Sequence, residues 1–149
     1  MLLLRHASAG KRVSPAGRDR IRRLDGVGRR DARGLIAAFD GYAVDRLVSS
    51  PHTRCIESVG PLARARGLRI EKRDELRPDA LLEEVRALLD QLPEDTLVCT
   101  HREVIEQLFG GVLTCEKGGA WLLEHGRPRA YLPPLSGVVD PAPSRVLVR

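Results

Sequence analysis

Two histidines in this chain stand directly after short apolar runs. His6 closes Leu2-Leu3-Leu4-Arg5-His6, and His101 closes Leu97-Val98-Cys99-Thr100-His101. A third run, Leu47-Val48, leads into Ser49-Ser50-Pro51-His52-Thr53-Arg54. Arginine forks match phosphate oxygens bidentately, and a neutral imidazole can attack phosphorus as a nucleophile. Arg5, His6, Arg54 and His101 therefore suit handling of a phosphoryl group, if the fold gathers them. The reading also expects no acidic partner from those loops.

The gathering depends on the elements that carry these residues. Each apolar run has the length of a buried strand and precedes a helix-like stretch, and in open α/β sheets the loops at the carboxyl ends of parallel strands converge on one crevice. The pattern predicts strands over 2–5, 45–49, 68–71 and 96–100. It predicts a long loop over 7–27, then a helix over 28–40 with Ala32, Leu35, Ile36 and Phe39 on its apolar face and Gly41 as C-cap. A second helix follows Pro51 and runs to Arg66, with Gly67 closing it and Gly60-Pro61 as a possible kink. Pro78 and Asp79 open a third, with the stripe Leu81, Leu82, Val85, Leu88, Leu89 and Leu92; a fourth spans 102–110. Ala120–Glu124 and Arg129–Leu132, around His125-Gly126, read as an edge hairpin. The tail is Pro-rich, with Val146-Leu147-Val148 a further short strand. The expected architecture is a three-layer α/β/α sandwich on a mainly parallel sheet, one domain over 1–149.

Composition narrows the classes. The chain has 149 residues, 42% hydrophobic and 30% charged, ordinary for a globular protein. A net charge of +5 fits an anionic substrate steered by the field. An aromatic content of 3% argues against a stacking platform for single strands, so nucleic-acid binding is disfavoured. Cys55, Cys99 and Cys115 show no CxxC spacing, and zinc ligands are not clustered. The apolar run at 2–4 is too short for a signal peptide or membrane span. The expectation is a reduced, cytoplasmic protein with no membrane partner; its oligomeric state is not readable.

At this point the motifs resemble a family. Leu4-Arg5-His6-Ala7 resembles the RHG signature of the histidine phosphatase (phosphoglycerate mutase-like) superfamily. Ser49 to Cys55 is similar to its second arginine block, SPxxRA, and Thr100-His101-Arg102-Glu103 to the block with the second histidine. Arg23 to Gly28 is similar to the PLTxxG element before the first helix. The blocks stand in the family's order. The short spacing from Arg54 to His101 resembles the SixA-type phosphohistidine phosphatase branch, and Lys117 to Trp121 resembles the phosphatase domain fused to MutT-type Nudix hydrolases.

The resemblance implies a metal-independent phosphatase without cofactors, acting on a phosphohistidine protein or a phosphorylated small molecule. His6 would form a covalent phosphohistidine, Arg5 and Arg54 would hold the oxygens, and His101 would bond to them as charge builds. Glu75 lies where the SixA-type branch has a glutamate and is the candidate general acid. Ser8, Lys11 and Arg102 are candidate phosphate or substrate contacts, and arginines 12, 18, 22 and 23 a cationic rim. Ala7 departs from the family glycine, which matters if that position needs a positive φ. His52 occupies a variable family position and reads as peripheral, His125 as surface, and Trp121 and Cys55 as packing residues. The alternatives are a nucleotide or metabolite phosphatase and, from another class, a phosphate-binding regulatory module without turnover.

Overall fold

Side-chain alternation along the strands builds the three layers. In the computed structural model, which describes residues 1–137, strand β1 spans Leu2–Arg5, β2 Arg46–Ser49, β3 Ile70–Lys72 and β4 Thr96–Thr100. Helices are α1 (Ala16–Arg20), α2 (Gly26–Ala38), α3 (Thr53–Arg66), α4 (Leu82–Gln91) and α5 (Arg102–Leu108). Leu2, Leu4, Leu47, Leu97 and Cys99 pack with Leu35 of α2, with Phe39 just beyond it, and with Cys55, Val59 and Leu62 of α3. Leu3, Val48 and Val98 point the other way, against Val85 and Leu88 of α4 and Val104 and Ile105 of α5. Strands apolar on both faces must be covered on both.

The sheet order is β3-β2-β4-β1-β5-β6, with β5 at Ala120–Glu124 and β6 at Arg127–Leu132. β1, β2, β3 and β4 run parallel, while β5 and β6 are antiparallel additions beside β1. From β1 the chain steps outward through α2 and α3 on one face, then returns through α4 and α5 on the other. Right-handed crossovers require that change of face when the direction reverses. The reversal leaves β4 between β1 and β2, in register Arg5 with Thr100 and Ser49 with Cys99. Their carboxyl ends form the crevice.

The sheet, the two helical layers and the hairpin, whose His125-Gly126 turn has positive φ at both residues, match the expectation. Several boundaries differ. The 7–27 stretch contains α1, and α2 begins at Gly26 because Asp25 caps it by accepting from the Gly28 N–H at 2.8 Å. α2 ends at Ala38 with Phe39 as C-cap, so Gly41 has no capping role, and Ile36 is exposed. β3 lies at Ile70–Lys72, two residues later than the pattern indicates, and a 3₁₀ turn at Asp74–Leu76 precedes α4, which begins at Leu82 with Leu81 exposed. α3 continues through Gly60-Pro61, Gly67 closes it at φ 65°, and α5 stops at Leu108. The stretch at Val146–Val148 lies outside the described residues.

Candidate active site

Arg5 ends β1 and His6 follows it; His101 follows β4, and Arg54 lies in the first turn of α3. His6 Nδ1 stands 2.8 Å from the Ala7 carbonyl, which only accepts, so Nδ1 carries the proton and Nε2 keeps its lone pair. The Arg54 Nε–H points at that lone pair at 3.3 Å. The His101 ring meets the His6 ring edge-on at 5.3 Å. Arg54 Nη2 donates toward His101 Nδ1 at 3.5 Å, which leaves the His101 proton on Nε2, 2.8 Å from Ser50 Oγ. Arg5 Nη1 donates to the Cys115 carbonyl at 2.8 Å, and its buried Nε–H has no partner among the described residues. Of the four residues read from the sequence as one cluster, His6, Arg54 and His101 meet side chain to side chain, while Arg5 leaves the same strand edge and turns its Nη1 to the Cys115 carbonyl.

Burial sets their charge states. The His6 imidazole is driven down to about 3 by burial, then by Arg54 and Arg5, against the opposing pull of the Ala7 carbonyl. His101 is driven down as well, by burial first and then by His6, Arg54 and His52. Both rings are therefore neutral near pH 7, the form a nucleophile needs.

One expectation is overturned here: an acid does enter the cluster. Asp19 of α1 sets its Oδ2 3.3 Å from Arg54 Nη2, and its backbone carbonyl accepts from Arg54 Nη1 at 2.9 Å. Its Oδ1 accepts from the Val13 N–H and from Arg22 Nε. Burial pushes the Asp19 carboxyl up, yet the Val13 N–H, Arg22 and Arg54 outweigh it and hold the group below the usual range. Arg54, 2% exposed, is thus aimed by an ionised partner.

His52 is also misplaced by the sequence reading. It is buried, its ring packs edge-on to His101 at 4.9 Å, and its Nδ1 has no hydrogen-bond partner among the described residues. Ser50 and Ser58 went unread as well. Ser58 Oγ accepts from the Ala7 N–H at 2.8 Å and donates to the Arg54 carbonyl at 2.6 Å, locking the nucleophile's loop to α3. Ala7 has no positive φ, so the missing glycine costs no backbone strain.

The remaining candidates lie apart. Ser8 Oγ donates to Asp25 Oδ2 at 2.6 Å and shapes the loop. Among the described residues Lys11 is exposed without a polar contact, and the half-exposed Arg102 side chain reaches only Glu106 at 4.0 Å. Of the rim arginines, Arg22 pins the Ala9 carbonyl and Asp19, Arg23 pairs with Glu57, and Arg12 with Glu103. Glu75 pairs with Arg73 at 2.6 Å, which holds its carboxyl below the usual range. It lines a hollow of about 610 Å³ that includes none of the four central residues. A second cavity, about 630 Å³, lies over Arg54 and His52 and is walled by Arg12, Asp19 and Arg20 on one side and by Arg77 and Asp79 on the other. Among the described residues no group of three His, Cys, Asp or Glu side chains could hold a metal ion, and no helix is long and apolar enough to cross a membrane. Cys55, Cys99 and Cys115 are buried free thiols, and Trp121 packs in the core with its Nε1–H on the Thr114 carbonyl.

A paired-histidine, paired-arginine crevice at the reversal point of this sheet defines the phosphoglycerate mutase-like class of phosphoryl-handling folds. The family model described as Histidine phosphatase superfamily (branch 1) matches residues 1–78. The chain belongs to that superfamily. It is 30% identical over 115 residues to the 8-oxo-(d)GTP phosphatase of Mycolicibacterium smegmatis, a match covering 73% of this chain and 36% of that protein. The chain thus spans about a third of that relative's length. The crystal structure of the Agrobacterium tumefaciens protein assigned as phosphohistidine phosphatase SixA aligns with TM-score 0.72 at 26% identity, over 89% of this chain and 97% of that one. The protein histidine phosphatase SixA complexed with tungstate shares the fold with TM-score 0.70 at 19% identity, over 91% and 97% of the two chains.

Proposed function

We propose that this chain is a phosphatase that passes a phosphoryl group through His6, with the phosphohistidine side chain of a protein as its substrate. The observation that carries the reading is the fixed His6 tautomer: Nδ1–H is tied to the Ala7 carbonyl, so the lone pair of Nε2 faces the Arg54 Nε–H at 3.3 Å, with the His101 ring edge-on to the His6 ring at 5.3 Å. In the first step Nε2 attacks phosphorus in line and the bond to the leaving group breaks. In the second, water attacks the phosphorus, the P–N bond returns its pair to Nε2, and inorganic phosphate leaves. Arg5 and Arg54 neutralise the equatorial oxygens, which is most of what a loose phosphoryl transition state requires. The unpartnered Arg5 Nε–H and the Arg54 guanidinium are preorganised donors of the kind that contribute several kcal/mol in a water-poor site. A phosphoramidate nitrogen takes up a proton readily, so phosphohistidine suits a site without a carboxylic acid among its central residues.

A second reading, a nucleotide phosphatase, draws support from Arg12, Arg20 and Arg77 around the cavity, which would suit additional phosphates, and from the Mycolicibacterium smegmatis relative. The test compares wild type and His6→Ala on a phosphohistidine protein, p-nitrophenyl phosphate and a nucleoside diphosphate, each with EDTA. Wild-type turnover in EDTA is expected, falling by roughly four orders of magnitude in His6→Ala. Higher kcat/KM on the diphosphate than on phosphohistidine moves the assignment to the second reading. Undiminished turnover in His6→Ala rejects both.

A further inference from the structure

The central residues supply a nucleophile and a phosphate cradle but no source for the proton that an oxygen leaving group requires. Glu75 is ion-paired to Arg73 beside another hollow, and Asp19 is committed to Arg54, Arg22 and the Val13 N–H. Asp79 sits at the exposed outer rim. With Asp19 so committed, His52 is the remaining titratable side chain that both borders the cavity over Arg54 and touches the catalytic cluster, through its edge-on contact with His101 at 4.9 Å. Its backbone is fixed there: it is the N-cap residue of α3, its N–H reaches Ser50 Oγ, and its carbonyl accepts from Cys55 and Ile56. Its Nδ1 is closed off and unpartnered, so the nitrogen left to meet a ligand is Nε2.

Resting on the phosphatase reading, we propose that His52 is a catalytic residue that delivers the leaving-group proton from Nε2 and recovers it from the attacking water. As the His6 Nε2–P bond forms, the bond from phosphorus to the leaving oxygen breaks. That oxygen keeps the electron pair and takes the proton from the His52 imidazolium, leaving the ring neutral. In the second step neutral His52 removes a proton from water while the hydroxide oxygen bonds to phosphorus and His6 Nε2 regains its pair. The products are an alcohol and inorganic phosphate, and His52 is again protonated.

The charge state follows the ligand. Burial first, and then the cationic excess of the groups facing it, holds the His52 ring down at about 4; those groups are Arg54 on α3, Arg20 and Asp19 on α1, Arg77 before α4 and His101 before α5. A phosphoryl dianion entering between those arginines reverses the local field and favours the imidazolium at the moment it is needed. His52 thereby extends the activity from phosphoramidates, whose nitrogen protonates readily, to phosphomonoesters with poor leaving groups.

The test is leaving-group dependence. Wild type, His52→Gln and the smaller His52→Asn are assayed on an aryl ester, p-nitrophenyl phosphate, and on an alkyl ester, glycerol phosphate, with folding checked by circular dichroism. In either folded variant the rate on the alkyl ester should fall about 100-fold further than the rate on the aryl ester, the span general acids commonly cover. The alkaline-side limb of the alkyl-ester kcat profile, where His52 loses the proton it must deliver, should disappear as well. Equal losses on both esters would mean that His52 merely packs against His101, and no loss that it is idle; each overturns the proposal while leaving the phosphatase reading standing. A wild type that turns over phosphohistidine but neither ester would also overturn the proposal, and one inactive on phosphohistidine as well would reject the phosphatase reading itself.

Discussion

The floor of the site and the wall above it are held by different forces. The floor is the carboxyl edge of β1 and β4, where a parallel ladder pairs Leu4 with Cys99 and Arg5 with Thr100 over fully buried aliphatic side chains. The wall is the 7–25 segment, mostly exposed between residues 10 and 18 and shaped by polar clamps. Asp25 accepts from Ser8 Oγ, from the Gly10 N–H and from the Gly28 N–H; Asp19 accepts from Val13 and Arg22. Hydrophobic layers position the reacting atoms, whereas a few charge-assisted hydrogen bonds position what lies over them. The chemistry thus rests on the part of the fold that tolerates least movement, and the substrate meets the part that can vary.

The sharpest way to break that division is where the Gly28 backbone of α2 packs directly on the Ser8 backbone of the wall. A Cβ at Gly28 would overlap the Ser8 carbonyl. Because that atom is main chain, either α2 or the loop has to move. Gly28→Ala is expected to cost about 3 kcal/mol, at the upper end for overpacking, and to raise KM as the wall lifts from Arg54. Urea unfolding followed alongside kinetics checks this. A loss of stability without any change in KM would mean that wall and site are uncoupled.

How far the sequence could be read follows the same division. Arg5, His6 and His101 adjoin the apolar runs that become β1 and β4, so reading the strands places the chemistry. Arg54 needs only the strand-to-helix step after β2. The wall has no periodicity; its form depends on Asp19 and Asp25 reaching backbone N–H groups several residues away, which pattern matching does not capture. His52 escaped because its partners, Arg20, Arg77 and His101, come from three separate segments. The apolar stripes overreached at Ile36 and Leu81, where helical spacing continues past the edge of the covered surface.

The floor carries a cost that the wall does not. His6 sits near 3 against an ordinary 6.5, so below pH 6.5 the unfolded chain binds a proton that the folded chain refuses. Stability is therefore complete above pH 6.5 and is lost as pH falls toward 3. From His6 alone the loss between pH 7 and pH 5 is about 2 kcal/mol. Urea midpoints should fall over that interval, and His6→Asn should make the fall shallower without abolishing it, because His101 and His52 are also held down. An equally steep profile in that variant would trace the acid sensitivity to other groups.

The smallest effect is expected where wall and floor are joined by charge alone. Arg12 of the wall meets Glu103 of α5 at 3.0 Å, with side chains 67% and 31% exposed. Coulomb attraction in such a solvated pair is offset by the entropy of holding two long side chains, so Arg12→Ala should shift stability by no more than about 0.5 kcal/mol. That small shift should vanish at about 1 M salt, where screening acts over roughly 3 Å. Arg12 also borders the cavity, so any effect on KM separates its contact with the ligand from its tether to α5. A KM increase on p-nitrophenyl phosphate with stability unchanged would place Arg12 over the substrate. A stability loss well beyond 0.5 kcal/mol would show instead that the ion pair anchors the wall, and that the polar clamps of Asp19 and Asp25 do not suffice.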